Sequence, residues 1–181
     1  MHSPAVDEGH SRLWTFSLAV YGDQECLDLQ DRHGIDVNLL LFCAFVGAVY
    51  GATLSEYEII AAAGAVKEWN KGVVSRLRAA RRALKRFACK PAAIGSLATA
   101  LREDVKAAEL ESEQIEQAML ESWLAPPPED RRCPPAEAVA ANIRGLLATC
   151  ASAGPAKMPE HLITAALAAA AATPTVAQIS R

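Results

Sequence analysis

The stretch from Leu29 to Thr53, LQDRHGIDVNLLLFCAFVGAVYGAT, decides the fold: a charged segment turns at Gly34 into a run that is apolar on nearly every side. A helix without a polar face has to be buried all round. Val37 to Tyr50 therefore reads as the central helix of an all-α helical bundle. Asp36 stands where its carboxylate can accept from the open N–H groups of the first turn, and Ile35 is placed to pack forward onto Leu40 as a hydrophobic staple. Gly34 closes the preceding helix in the left-handed conformation that other residues resist, and Gly51 ends the central one.

Upstream, Ser11 caps a helix to about Tyr21 that carries Leu13, Trp14, Leu18 and Tyr21 at helical spacing, and a second helix runs from Gln24 to His33. Downstream, Ser55 before Glu56 and Glu58 opens a helix that is expected to end near Gly64. From Lys67 to about Cys89, the residues Trp69, Val73, Leu77, Ala80, Leu84 and Phe87 keep a three-to-four spacing and predict one long amphipathic helix. Pro91 interrupts it. A second long helix follows from Ile94 to Trp123, with Leu97, Leu101, Val105, Ala108, Ile115, Met119 and Leu120 as its expected apolar positions.

The segment APPPEDRRCPP, Ala125 to Pro135, cannot continue a helix, because its prolines remove donors and clash with the preceding turn. Beyond it, Pro134-Pro135 opens a helix to Ala151 with Val139, Ile143, Leu146 and Leu147 on its apolar face, and Pro159-Glu160 opens an Ala-rich helix to Ala172. The expected organisation is a disordered arm (1–10), a bundle domain (11–124), a Pro-rich linker (125–135), a helical extension (136–172) and a frayed tail (173–181). Few contacts are expected to cross the linker.

Composition agrees with an all-α chain. The 181 residues are 51% hydrophobic and lean on alanine, while aromatics make up 6%, which favours helix over strand. A net charge of -3 leaves any polyanion partner to local charge alone. Five scattered cysteines without a CxxC pair point to a reducing, cytoplasmic compartment rather than to zinc or a disulfide framework. The polar start MHSPAVDEGHSR does not read as a signal peptide. As a helix, Leu39 to Ala52 would span about 21 Å at ~1.5 Å per residue, short of a ~30 Å hydrocarbon core, so no membrane span is expected.

The pattern Leu13-Trp14-x-Phe16, Tyr21, Cys26-Leu27-x-Leu29-Gln30, Gly34-x-Asp36-Val37-Asn38-Leu39-Leu40, then Trp69, Val73-Val74, Leu77-Arg78 and Arg81-Arg82-x-Leu84-Lys85, resembles a bacterial family of conserved hypothetical proteins. That family is found mainly in proteobacteria and is of the domain of unknown function 2390 type. The resemblance covers roughly residues 11 to 120 and implies no assigned activity.

Candidate chemistry is sparse. Glu25, Asp28, Asp31, His33 and Asp36 crowd acids around an imidazole, a set that can supply metal ligands or a proton-transfer pair. Gln30 stands three residues before His33, where a helical di-iron motif needs Glu, so a cap and a solvated face are the plainer reading. Gln30 and Asn38 are uncharged amides among apolar neighbours and need partners. With Trp14 and His33 they are the expected lining of any polar pocket among the first three helices. No catalytic residue, metal site or cofactor is assigned, since there is no phosphate loop, nucleophile elbow or dinucleotide fingerprint.

The strongest functional candidate is the basic helix, with Arg78, Arg81, Arg82 and Lys85 at its centre. Such a stripe can grip an acidic protein or another polyanion. Equally, Glu103, Asp104, Glu109, Glu111, Glu113, Glu116 and Glu121 on the next long helix can pair with it internally. Without interleaved aromatics or a helix-turn-helix pattern, sequence-specific DNA binding is not expected. The preferred function is a non-enzymatic interaction or adaptor protein. The competing one is an enzyme or small-molecule-binding bundle.

Overall fold

The computed structural model describes residues 11–20, 24–88, 91–149 and 157–172. The chain forms α1 (Arg12–Val20), α2 (Gln24–His33), α3 (Val37–Tyr50), α4 (Glu56–Trp69), a π turn (Asn70–Val74), α5 (Ser75–Lys85), α6 (Ala92–Trp123), a 3-10 turn (Glu129–Arg131), α7 (Pro135–Thr149) and α8 (Glu160–Ala172). Among the described residues there is no strand, only an isolated bridge between Ala52 and Arg132. The expected N-terminal arm (1–10), the frayed tail (173–181), the first-helix end at Tyr21 and the terminal positions Cys89 and Ala151 lie outside the described residues.

α3 is the axis of the core, buried from Val37 through Ala48. Its ends form as the local chemistry dictates. Asp36 Oδ1 accepts from Asn38 N at 2.9 Å, Gly34 and Gly51 take φ values of 66° and 59°, and Gly51 N bonds Gly47 O. Phe45 stacks edge-on against Phe16 of α1, at 5.3 Å between ring centroids, and against Tyr50.

α7 lies directly against α3. A Cβ added to Gly47 would fall 2.5 Å from Val139 N and 2.6 Å from Val139 Cα, so the absence of a side chain there lets the two backbones touch. Asn142, fully buried, donates from Nδ2 to Cys43 O at 3.2 Å and Ala52 O at 3.0 Å and accepts from Leu54 N at 2.7 Å. It satisfies backbone groups in the middle of α3 and in the segment that follows it. α8 joins through Leu162, Ala166 and Ala169, and Glu25 of α2 caps its start by accepting from His161 N at 3.1 Å. The helices after the Pro-rich segment thus share one core with α3, which corrects the expectation of few contacts across it. The Pro-rich segment itself is docked: Cys133 N donates to Gly51 O at 2.8 Å and Thr53 N to Arg131 O at 3.2 Å.

Two helix boundaries also differ from expectation. α4 does not stop near Gly64 but runs to Trp69, because Ile59, Ala62 and Val66 bury one continuous face and the Ser55–Glu58 capping box starts it firmly. It passes through the π turn into α5, and the extra residue of that turn advances the register so that Val74 is buried while Ala80 and Phe87 are exposed. On α6 the expected apolar face is largely turned outward. Leu97, Leu101 and Ile115 are exposed, Val105, Ala108 and Met119 are half-buried, and Leu120 alone of the expected positions is buried. The face that packs inward consists of Gly95, Glu109, Ser112, Glu116, Gln117 and Leu120.

Candidate functional site

That inward polar face meets the N-terminus of α3 and the π turn in a junction built from amides and carboxylates. Asp36 uses Oδ1 to cap α3, which leaves Oδ2 to accept from Asn70 Nδ2 at 3.0 Å. The same nitrogen reaches Glu116 Oε1 at 3.0 Å. Asn38 donates to Glu116 Oε2 at 2.9 Å and accepts from Gln117 Nε2 at 2.9 Å, and Ser75 Oγ donates to Asn70 Oδ1 at 3.1 Å. Below them Trp69 Nε1 donates to Ser112 O at 2.9 Å, which anchors the end of α4 on α6. A π turn places Asn70 here because its wider winding lets one residue leave the regular ladder, a feature frequent at functional sites.

Glu116 is fully buried and within hydrogen-bonding reach of Asp36. Burial, and then the neighbouring Asp36 charge, push its carboxyl up to about 8, against the amides of Asn70 and Asn38. Glu116 therefore keeps its proton well above the usual carboxylate range, beside the Asp36 carboxylate that helps to hold it there. Such a pair can act as a proton store or as a general acid and base.

One and two turns back along α6, at Glu113 and Glu109, the compensation is different. Glu109 accepts from Arg78 Nε at 3.1 Å and from both Nε and Nη2 of Arg81, while Glu113 takes Arg78 Nη2. Burial raises the Glu109 carboxyl, but Arg81 and Arg78 outweigh it and hold it below the usual range. For Glu113 burial prevails over Arg78, and its carboxyl is raised.

Two of the four basic residues singled out from the sequence, Arg78 and Arg81, are therefore engaged between α5 and α6. Arg82 makes an exposed pair with Asp31 of α2 at 3.0 Å, and Lys85 is exposed. The four expected pocket residues do not converge. Trp14 is buried on α1, where its backbone N–H donates to Ser11 Oγ, Gln30 is half-buried, and Asn38 belongs to the junction. His33 lines a cleft of about 220 Å³ with Glu25, Asp28, Arg32, Lys157 and Met158.

The junction's central residues, Glu116, Asn70 and Gln117, went unnoticed in the sequence as a group. One signal was present: Glu109, Ser112, Glu113, Glu116 and Gln117 recur at helical spacing and form a polar stripe beside the apolar one. Among the described residues no group of three or more His, Cys, Asp or Glu can hold a metal ion, and no helix is long and apolar enough to cross a membrane.

Residues 12–120 match the family described as protein of unknown function (DUF2390), and the chain belongs to that family. The match spans α1 to the last turns of α6, so it includes every residue of the junction and stops before α7 and α8. No curated protein and no solved structure matches the chain.

Proposed function

We propose that this member of the DUF2390 family is a non-enzymatic interaction or adaptor protein that takes an acidic protein partner on the outer, basic surface of the α5–α6 hairpin. One observation carries the reading. Phe87, after the end of α5, and Ile94, Leu97 and Leu101, in the first turns of α6, are 47%, 55%, 73% and 51% exposed, and several large apolar groups left in water on one hairpin suit an interaction surface. The hairpin also carries the charge such a partner needs. Arg76, Arg82, Lys85 and Arg86 are exposed, and residues 75–88 contain no acid. Arg78 and Arg81 then serve to hold the two helices together rather than to grip the partner. A cytoplasmic setting goes with the odd, scattered set of cysteines.

The competing reading, an enzyme or small-molecule-binding bundle, has the proton-sharing pair of Asp36 and Glu116 in its favour. Against it, Trp14 is buried on α1, His33 lines the cleft beside Glu25, and Asn38 is engaged by Glu116 and Gln117.

The two readings separate in a binding titration with poly-L-glutamate at increasing salt. The parent protein is expected to bind, with affinity falling steeply as salt screens the contact. A variant carrying Arg82→Glu, Lys85→Glu and Arg86→Glu should bind at least about tenfold more weakly at an unchanged melting temperature, since exposed pairs such as Arg82–Asp31 contribute only about 0–1 kcal/mol. Equal binding by parent and variant, or none by the parent, overturns the proposal.

A further inference from the structure

The junction has a property that neither an adaptor nor a passive core requires. Two carboxylates approach one amide nitrogen, Asn70 Nδ2, each to 3.0 Å, and the amides of Asn38 and Gln117 complete the junction beside them. From α3 the facing groups are Asp36 at the cap and Asn38; from the π turn Asn70, with Lys71 exposed; from α6 Gln117 beside Asn38, with Glu113 and Glu109 further along; from α5 Arg78. Arg78 is the cation of this set that lies inward, and its donors go to Glu109 and Glu113. Two carboxylates that converge on one amide nitrogen in a site of low polarity repel when both are ionised, which favours one proton held in the folded junction.

That proton sits where three elements join through polar bonds. Asp36 caps α3, Asn70 opens the π turn at the root of the hairpin, and Glu116 lies on α6. We propose that the proton shared by Asp36 and Glu116 is a latch: while bound, it lets Asn70 clamp the root of the hairpin to the start of α3, and its loss in alkaline solution frees the π turn while the core stays folded. Asp36 is half-buried and Lys71 and Gly72 are exposed, so water has a route to the pair and the turn has room to move. The core around α3 has no part in the change, because Leu41 to Val46 are held by apolar neighbours. The latch stands whether or not the hairpin binds an acidic partner.

The test follows the Trp69 indole N–H and the backbone amides of the whole protein by NMR and hydrogen exchange from pH 6 to 10. In the parent, the Trp69 signal should shift in one step near pH 8, and protection of amides 70–75, corrected for intrinsic exchange, should fall at least tenfold while amides 41–46 keep theirs. Glu116→Gln keeps the hydrogen-bonding amide without an ionisable proton and should abolish the step. Should that variant fail to fold, Asp36→Asn decides, since removing the neighbouring charge must move the step to lower pH. A step that persists unchanged in Glu116→Gln or Asp36→Asn, its absence in the parent, or simultaneous loss of protection in amides 41–46 overturns the latch.

Discussion

Helix α3 and the α5–α6 hairpin solve the same problem, covering a helix, by opposite means. Around α3 the contacts are leucine, phenylalanine and, at Gly47, bare backbone against α7. Between α5 and α6 the inward groups include Arg78, Arg81 and Glu109, while Leu97 and Leu101 face water. No residue of α5 is fully buried. Apolar burial supplies roughly 25 cal/mol per Å² without regard to geometry, whereas a partly buried ion pair returns little after desolvation. The body therefore carries the stability, and the hairpin is held by groups that fix its register and leave its surface available.

Three measurements break or sharpen this comparison. The largest effect is expected on truncation at Pro126, which removes α7 and α8 and with them Val139, Asn142, Ile143, Leu146, Leu162 and Ala166 from the core. The remaining chain should lose its cooperative thermal transition by circular dichroism. A sharp transition in the truncated protein would make residues 11–124 a domain in their own right and α7 a mere cover.

Next, Phe42→Ala should cost about 2–5 kcal/mol in denaturant unfolding, from lost transfer energy plus a cavity. In the same measurement Leu97→Ser should stay within about 0.5 kcal/mol, as surface changes do. Comparable losses at the two sites would put the hairpin in the core after all.

The last effect is a slope, and its sign differs between the two polar clusters. Glu116 has its carboxyl raised from 4.5 to about 8 in the folded protein. Between those values the folded state holds a proton that the unfolded state has lost, so stability falls as pH rises, by at most about 1.4 kcal/mol per unit for one proton. Glu109 is lowered, so its contribution is present above 4.5 and lost as pH falls further into acid. Denaturant midpoints from pH 3 to 9 should show both arms, and Glu116→Gln should flatten the upper one alone. An unchanged upper slope in that variant would take the shared proton out of the folding balance.

Local pattern accounts for α2 and α3 with their caps, and for the span of α6 to within two residues at its start, because a cap, a left-handed glycine and an uninterrupted apolar run act within a few residues. It also revealed Asp36 as a cap, though only one of its two oxygens serves there. The inward face of α6 was open to two answers, since it carries an apolar stripe through Leu97, Leu101 and Ile115 and a polar one through Glu109, Ser112 and Glu116. Periodicity counts both and ranks the apolar stripe first. The basic residues were visible as a concentration of charge with the acids of α6 as its internal alternative, and packing selected Arg78 and Arg81 for Glu109.

The all-α class, the buried central helix and its two ends follow from the chain's own order, since hydrophobic burial and capping depend on neighbours in sequence. Tertiary structure alone decided which stripe of α6 turns inward, that the segment after the prolines completes the core, and that Asp36 and Glu116 meet at Asn70. Each of these depends on groups from distant segments, such as Arg78 with Glu109, Asn142 with Ala52, and Asn70 with both carboxylates. A carboxylate is costly to bury alone and acceptable once its partner arrives, and that partner is supplied only when the helices pack.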